Sequence, residues 1–278
     1  MLSEITDAVH LTAKASCSGL TAAVEVEGSL LGSRVRQVIR LSADSRRLEF
    51  DTVVDWKELH RLLKVSFPVD VYAEEGINEM QFGYVKRPTH RSRQYDKDRF
   101  EVCNHRYSAL CDGSHGAAVL NDCKYGISMN GNALELTLLR ASASPEMQAD
   151  NRTHHFTYAF TAWEGSFEES DVLRDALALN VPAAVVPGKR ADHSAFSVNK
   201  KSVIIDTVKP AEDGSADLIL RVYEAMNAPG NAKIRTDLPV KKAYICDMLE
   251  NIQEELEITD GVLELPFRGF EIKTIRLS

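Results

Sequence analysis

The chain has 278 residues, with 33 Lys plus Arg against 41 Asp plus Glu and a formal net charge of −8. That length suits one large domain or two ordinary ones and buries a sizeable core without disulfide or metal staples. The acid excess removes a general electrostatic footprint for nucleic acid, so no nucleic-acid partner is expected.

In chain order, the apolar residues alternate with polar ones far more often than they follow a helical period. Val35–Leu41 predicts the first clear strand. Trp56–Leu63 has apolar residues at i, i+3, i+6 and i+7, which invites a helix. It runs straight into Val65–Tyr72, so it is read as a turn feeding a long strand. Ala117–Leu120 follows. Tyr125–Met129 and Ala133–Leu138 then flank Asn130-Gly131, a pair suited to the positive φ angles of a type I′ hairpin turn. The formal glycosylation sequon Asn151-Arg152-Thr153 is read as a turn before the strand Phe156–Phe160. Asp171–Leu179 is the better helix, with Val172, Ala176 and Leu179 on one stripe and Ser166 with Glu169 resembling its capping box.

A proline-bounded connector runs from Val181 through Pro187-Gly188-Lys189-Arg190, and new strand signals start at Ser202-Val203-Ile204-Ile205. Leu218–Tyr223 continues them. Leu256-Glu257-Ile258 and Val262–Leu265 flank Asp260-Gly261 as a second hairpin, and Glu271–Leu277 alternates to the end. The fold class is therefore all-β and largely antiparallel. A large β region spans residues 1–200 and a small β domain spans 201–278. No apolar run approaches the ~18 residues of a membrane span, and Met1-Leu2-Ser3-Glu4 opens no signal peptide, so no membrane partner is expected. Five scattered cysteines (Cys17, Cys103, Cys111, Cys123, Cys246) fit a reducing compartment, hence a cytoplasmic location.

The densest polar cluster lies between Tyr84 and Tyr125. Within it, Asn121-Asp122-Cys123-Lys124-Tyr125-Gly126 combines an acceptor-rich Asp, the donors of Lys and Asn, and a Tyr with an apolar face and a polar tip, a set able to orient sugar hydroxyls. The alternative is a polar hairpin with an ordinary salt bridge. Cys103, His105, Cys111, His115 and Cys123 look superficially like a zinc set, but C-x-H and C-x3-H lack the paired spacing of a structural site. On a strand, His154 and His155 face opposite ways, one packed and one solvated. Acids are plentiful (Asp44, Asp51, Asp96, Asp98, Glu168, Glu169), yet nothing in the sequence says which two would face each other as a glycosidase pair. The hydrolase, metalloprotease, phosphate-loop and dinucleotide motifs are all missing.

Several longer strings are more specific. Phe50-Asp51-Thr52-Val53-Val54-Asp55-Trp56, Gln81–His90, Arg99-Phe100-Glu101-Val102-Cys103-Asn104-His105-Arg106-Tyr107, His115–Gly126, Leu138-Leu139-Arg140-Ala141, His154–Phe167 and Asp247-Met248-Leu249-Glu250 together resemble the C-terminal region of family-38 glycoside hydrolases. These are the α-mannosidases, here in the branch holding bacterial and cytosolic enzymes. The resemblance covers nearly the whole chain. It implies a large supersandwich similar to that of galactose mutarotases, incomplete at its N-terminus, followed by a small β-sandwich.

It further implies that the nucleophilic Asp, the acid/base and the zinc belong to an N-terminal catalytic domain. That domain would be this chain's partner, with an α-mannoside as substrate. The family's His-x-Asp and His-His-Asp motifs have no counterpart here, and Asp192-His193 lacks their context. No catalytic residue, metal ligand or cofactor is therefore assigned to this chain. The expected contribution is either at the rim of the sugar site, from Asn121, Asp122, Lys124 and Tyr125, with His115 added to the set, or that of a structural hairpin between domains. Alone the chain is expected to be inactive, because about 8–23 kcal/mol of barrier lowering does not come from rim contacts. Apolar surface meant for the absent domain would favour self-association into a homo-oligomer. The alternatives are a stand-alone carbohydrate-binding module, or a mutarotase-type epimerase using His105 or His115 with a carboxylate.

Overall fold

The computed structural model describes residues 8–189 and 193–278. Met1–Glu4, Arg190 and Asp192, which figure in the sequence reading, lie outside them. The chain separates into two compact units. Of the described residues, 8–79 and 85–183 form the first, and 80–84 with 184–189 and 193–278 form the second.

The first unit begins with an antiparallel meander of four strands, β1 (Ala8–Ser18), β2 (Thr21–Leu30), β3 (Ser33–Ser42) and β4 (Leu48–Asp55). After β5 (Leu62–Pro68), β6 (Glu75–Met80) and β7 (Gly83–Pro88) comes one short helix, α1 (Gln94–Asp98). Then follow β8 (Val102–Cys103), β9 (Tyr107–Cys111), β10 (His115–Asn121), β11 (Gly126–Asn130), β12 (Ala133–Arg140) and β13 (Thr153–Glu164). The helix α2 (Val172–Asn180) closes the unit.

These strands make two sheets. A nine-stranded sheet has the order β1-β2-β3-β4-β13-β10-β9-β6-β7, and a four-stranded sheet has the order β5-β12-β11-β8. The period-two pattern decides which side chains meet between them. Phe50 and Val54 of β4, Val119 of β10 and Phe156 and Tyr158 of β13 face Ile127 of β11 and Leu134, Leu136 and Leu138 of β12 in one core. Phe50 stacks on Tyr158 with ring centroids 4.8 Å apart, and Phe67 on Phe160 at 5.0 Å. The Tyr158 hydroxyl accepts from Gln37 Nε2 at 2.8 Å, so its polar tip is satisfied although the ring is buried. Each fully buried leucine contributes roughly 1.5–3 kcal/mol.

Close packing leaves no room at Gly116 of β10. A Cβ there would overlap the Trp163 indole and come within 2.8 Å of the Leu110 carbonyl. Gly116→Ala is expected to destabilise the first unit by about 1–3 kcal/mol, read as a lower urea midpoint in tryptophan fluorescence. An unchanged midpoint would mean that the indole moves aside freely.

The second unit contains β14 (Phe196–Val198), β15 (Val203–Pro210), β16 (Leu218–Glu224), β17 (Gly230–Thr236), β18 (Ala243–Cys246), β19 (Ile252–Leu256), β20 (Val262–Phe267) and β21 (Ile272–Leu277). A three-stranded sheet, β14-β17-β20, and a five-stranded sheet, β15-β16-β21-β18-β19, enclose Leu220, Val222, Ile234, Leu263, Phe267 and Ile275. Residues 80–84 add aromatic contacts to this unit. Phe82 meets Tyr223 edge-on at 5.2 Å, and Tyr84 meets Phe270 at 5.1 Å. The sequence reading divides the chain near residue 200, whereas the compact units divide at 183/184 and β14 belongs to the second.

Four sequence expectations need adjustment. The Asn130-Gly131 turn is shifted by one residue: Asn130 ends β11, and Gly131 takes the first central position with φ 63°, as a type II′ turn requires. Asp260 and Gly261, at φ 48° and 74°, do form the type I′ pair. Only Thr259 and Val262 bridge across that turn, however, because Leu256 and Val262 belong to different sheets. Glu169 Oε2 accepts the Ser166 N–H at 3.0 Å, but it caps the 3-10 turn Phe167–Glu169 rather than α2. The predicted strand Val65–Tyr72 loses its ladder after Pro68, although the segment stays alternately buried and exposed. Trp56–Arg61 is irregular, as expected, with the Trp56 ring buried.

Candidate functional site

The loop from Asn121 to Tyr125 joins β10 to β11 and is braced from three directions. Asn121 is buried, and its Nδ2 donates to Asn104 Oδ1 (3.0 Å) and to the His105 carbonyl (2.8 Å). Its Oδ1 accepts the Lys124 N–H at 2.7 Å, closing the turn, while Asn180 at the end of α2 donates to the Asn121 carbonyl at 3.0 Å. Asp122 Oδ2 accepts the Thr157 N–H at 2.9 Å, and the Asp122 N–H donates to the Thr157 carbonyl at 3.1 Å. Asn121 and Asp122 are therefore framework. They set the path of the loop and spend most of their hydrogen-bonding capacity doing so.

Two polar atoms of this framework remain buried without a hydrogen-bond partner among the described residues, Asp122 Oδ1 and Asn104 Nδ2. The Cys123 thiol, on the same loop, is pushed up to about 11 by burial and by the Asp122 carboxylate beside it. It stays protonated at neutral pH and offers no nucleophile.

Lys124 and Tyr125 are placed differently. Lys124 forms no ion pair among the described residues; its Nζ sits 4.3 Å from the centroid of the Phe156 ring. The salt bridge that the sequence suggested for this hairpin does not form, because Asp122 turns back to the Thr157 amide. Tyr125 is 49% exposed and stacks on the His105 imidazole, with centroids 5.6 Å apart and planes 26° apart. Consecutive residues of one braced loop thus carry a half-buried cation over the Phe156 ring and an exposed aromatic ring on His105.

That support rests on a residue the sequence reading missed. Glu79 is 1% exposed. Its Oε1 accepts from Arg106 Nε at 2.7 Å and from Arg106 Nη2, and its Oε2 accepts the Arg106 N–H. His105 Nδ1 lies 3.2 Å from Oε2, off the hydrogen-bonding direction. The arginine thus occupies the carboxylate, so His105 and Glu79 do not make a free acid/base pair. No sequence signal marks Glu79; it is one acid among many, and burial alone sets it apart.

His115 is not in this cluster. It starts β10 whereas Asn121 ends it, so about 20 Å of strand separates them. Its Nε2 lies 2.7 Å from the Asp70 carbonyl, and its Nδ1 lies 2.9 Å from Ser114 Oγ and 3.2 Å from Asp112 Oδ2. Asp112 is held down to about 2, chiefly by the amide of His115 and by the Ser114 hydroxyl and amide, which makes it a poor base. His154 is half-buried with Nε2 2.8 Å from the Asp150 carbonyl, while His155 is exposed and 2.6 Å from Asp51 Oδ1. Burial raises the Asp51 pKa, but hydrogen bonds from His155 and Arg40 outweigh it and the net direction is down.

The zinc-like set is likewise dispersed, since Cys103, Cys111 and Cys123 are free thiols on separate elements. Among the described residues, no three His, Cys, Asp or Glu side chains are grouped so as to hold a metal ion. These residues do not fit a zinc centre. No helix among them is long and apolar enough to cross a membrane.

Residues 8–148 match the model of the glycosyl hydrolases family 38 C-terminal domain, and residues 202–275 match that of the family's C-terminal beta sandwich domain. The chain belongs to glycosyl hydrolase family 38. It is 39% identical over 276 residues to alpha-mannosidase 2C1 of Mus musculus, covering 92% of this chain and 27% of that protein. Alpha-mannosidase G of Dictyostelium discoideum is 34% identical over 252 residues, covering 87% and 23%. The family-38 chain therefore spans about a quarter of the length of the curated relatives it matches. A solved alpha-mannosidase from Enterococcus faecalis V583 superposes with a TM-score of 0.78 at 16% identity, over 97% of this chain and 35% of that one, a likeness of fold.

Proposed function

We propose that this chain is the C-terminal β portion of a cytoplasmic α-mannosidase, and that its Asn121–Tyr125 loop rims the mannoside site of a catalytic domain that supplies the nucleophile, the acid/base and the zinc. The observation that carries this reading is Lys124, a cation without a counter-charge among the described residues, beside an exposed Tyr125. A cation held ready in this way suits hydrogen bonding to sugar hydroxyls or to oxygens gaining charge at the bond being broken. The match of both family domains and the mannosidase names of the relatives support the same reading.

The test has two arms. The 278-residue chain with added zinc is expected to leave an aryl α-mannoside intact, and turnover by it would sink the division of labour. When it is joined to a family-38 catalytic portion, Lys124→Met is expected to lower kcat/KM by about ten-fold, or ~1.4 kcal/mol. Unchanged kinetics in that variant would make the loop a structural hairpin only.

A further inference from the structure

A second place on the first unit combines the chemistry of a ligand site, and it lies at the other end of β10. The segment from Asp70 to Glu74, where the predicted strand loses its ladder, remains extended and alternates. Val71 and Ala73 pack against the core, while Asp70, Tyr72 and Glu74 point outward.

This comb is clamped along its backbone. The Val69 N–H donates to the Asn132 carbonyl (3.0 Å) and Asn132 Nδ2 to the Val69 carbonyl (2.7 Å). Thr89 contributes its N–H to the Glu74 carbonyl (3.0 Å) and its hydroxyl to the Ala73 carbonyl (2.7 Å), and His115 Nε2 meets the Asp70 carbonyl. The side chains of Asp70, Tyr72 and Glu74 have no hydrogen-bond or ion-pair partner among the described residues. Tyr72 is 82% exposed, although a ring of that size ordinarily buries much of its area.

All three line a cleft of about 780 Å³, whose volume lies within the range of small-molecule sites. The same cleft is lined by His90, Asn130 and Asn132. It thus holds an aromatic ring and two carboxylate acceptors together with amide and imidazole groups.

We infer that this cleft binds a neutral saccharide, with a pyranose ring laid on Tyr72 and its hydroxyls shared between the carboxylates of Asp70 and Glu74. An organic cation would also find the aromatic ring and the acids. The side-chain amide of Asn130 in the same lining donates as well as accepts, which suits hydroxyl groups better than a cation that needs acceptors alone. The site is separate from the Asn121–Tyr125 loop, and its assignment does not depend on the role given to that loop.

Isothermal titration and saturation-transfer NMR on the 278-residue chain decide the matter. The probes are methyl α-D-mannopyranoside, a linear mannotriose and, as the cationic alternative, spermidine. Weak saccharide binding is expected. Tyr72→Ala should weaken it by about ten-fold, the upper end of what one aromatic contact contributes; Tyr72→Phe should keep most of it, and Lys233→Met, at an exposed position of β17, should leave it unchanged. Circular dichroism of each variant confirms the fold, which an exposed ring does not support. Saccharide binding that is indifferent to Tyr72→Ala overturns the inference. So does the absence of saccharide binding, or capture of spermidine in its place. Loss on Lys124→Met alone would move the binding to the rim loop and leave the rim reading standing.

Discussion

Glu79→Ala should destabilise the first unit by about 3–5 kcal/mol, the usual result of removing one partner from a buried ion pair. The loss is large because three donations end on this carboxylate, from Arg106 Nε, Nη2 and its backbone N–H. The substitution removes the carboxylate that faces a guanidinium of which only a small part reaches solvent. Its two neighbours in sequence, His105 and Asn104, hold Asn121, so the same change should loosen the Asn121–Tyr125 loop. Both tryptophans of the chain, Trp56 and Trp163, belong to the first unit, so urea unfolding followed by their emission reports on it selectively. The double variant Glu79→Leu with Arg106→Met removes both charges and should recover much of the loss. Equal midpoints for Glu79→Ala and the unaltered chain would show that Arg106 finds water as readily as it finds the carboxylate.

In the second unit, Glu224→Ala is expected to cost about 3–5 kcal/mol. Glu224 is fully buried at the end of β16, and its partners are backbone amides rather than a cation. Oε1 accepts from Met226 (3.0 Å) and Ala228 (3.1 Å), and Oε2 from Phe270 (3.0 Å). One carboxylate thus closes the loop after β16 onto the turn before β21. Truncation to Ala leaves three amide donors without acceptors in a dry place. Hydrogen exchange should quicken for amides of β15, β16 and β21, while tryptophan emission still reports an intact first unit. Exchange that is unchanged across these strands would mean that other acceptors replace the carboxylate.

Neither carboxylate could be chosen from the sequence. Glu79 sits two residues before Gln81 and Glu224 follows Tyr223, in company no different from that of the exposed acids. Their partners are distant along the chain or are backbone amides, and one-dimensional spacing registers neither. The strand pattern was far more legible, because a half-buried strand must alternate. Ala133–Leu138 and Val262–Leu265 show this directly. The same rule misled at Tyr72, since alternate burial survives in Asp70–Glu74 without a ladder. Burial sets that period, and hydrogen bonding does not.

Of the opening meander the sequence marked only β3, as Val35–Leu41, and β1 escaped notice for the opposite reason. Leu11 through Ser18 is exposed throughout, so β1 has little contrast between its faces. At the rim loop, the sequence left two readings open, a sugar-orienting set and a hairpin with an ordinary salt bridge, and named no partner for the Asp122 carboxylate. The fold gives that carboxylate to Thr157, on a strand that pairs with β10 from far downstream.

The order of strands in the nine-stranded sheet has a consequence for how the chain acquires its structure on the ribosome. The first four strands are joined by short turns and pair in succession, so they can assemble as soon as they emerge. The next neighbour of β4 is β13, which pairs Asp55 with Thr153, and β10 waits for the same strand. Until the segment through Glu164 has been synthesised, the meander presents an open edge at β4. Closing so long a loop is slow, and the half-made sheet is sticky during that interval. The yield of folded protein should therefore depend on translation speed and chaperone supply across residues 56–164 more than on the stability of the finished sandwich.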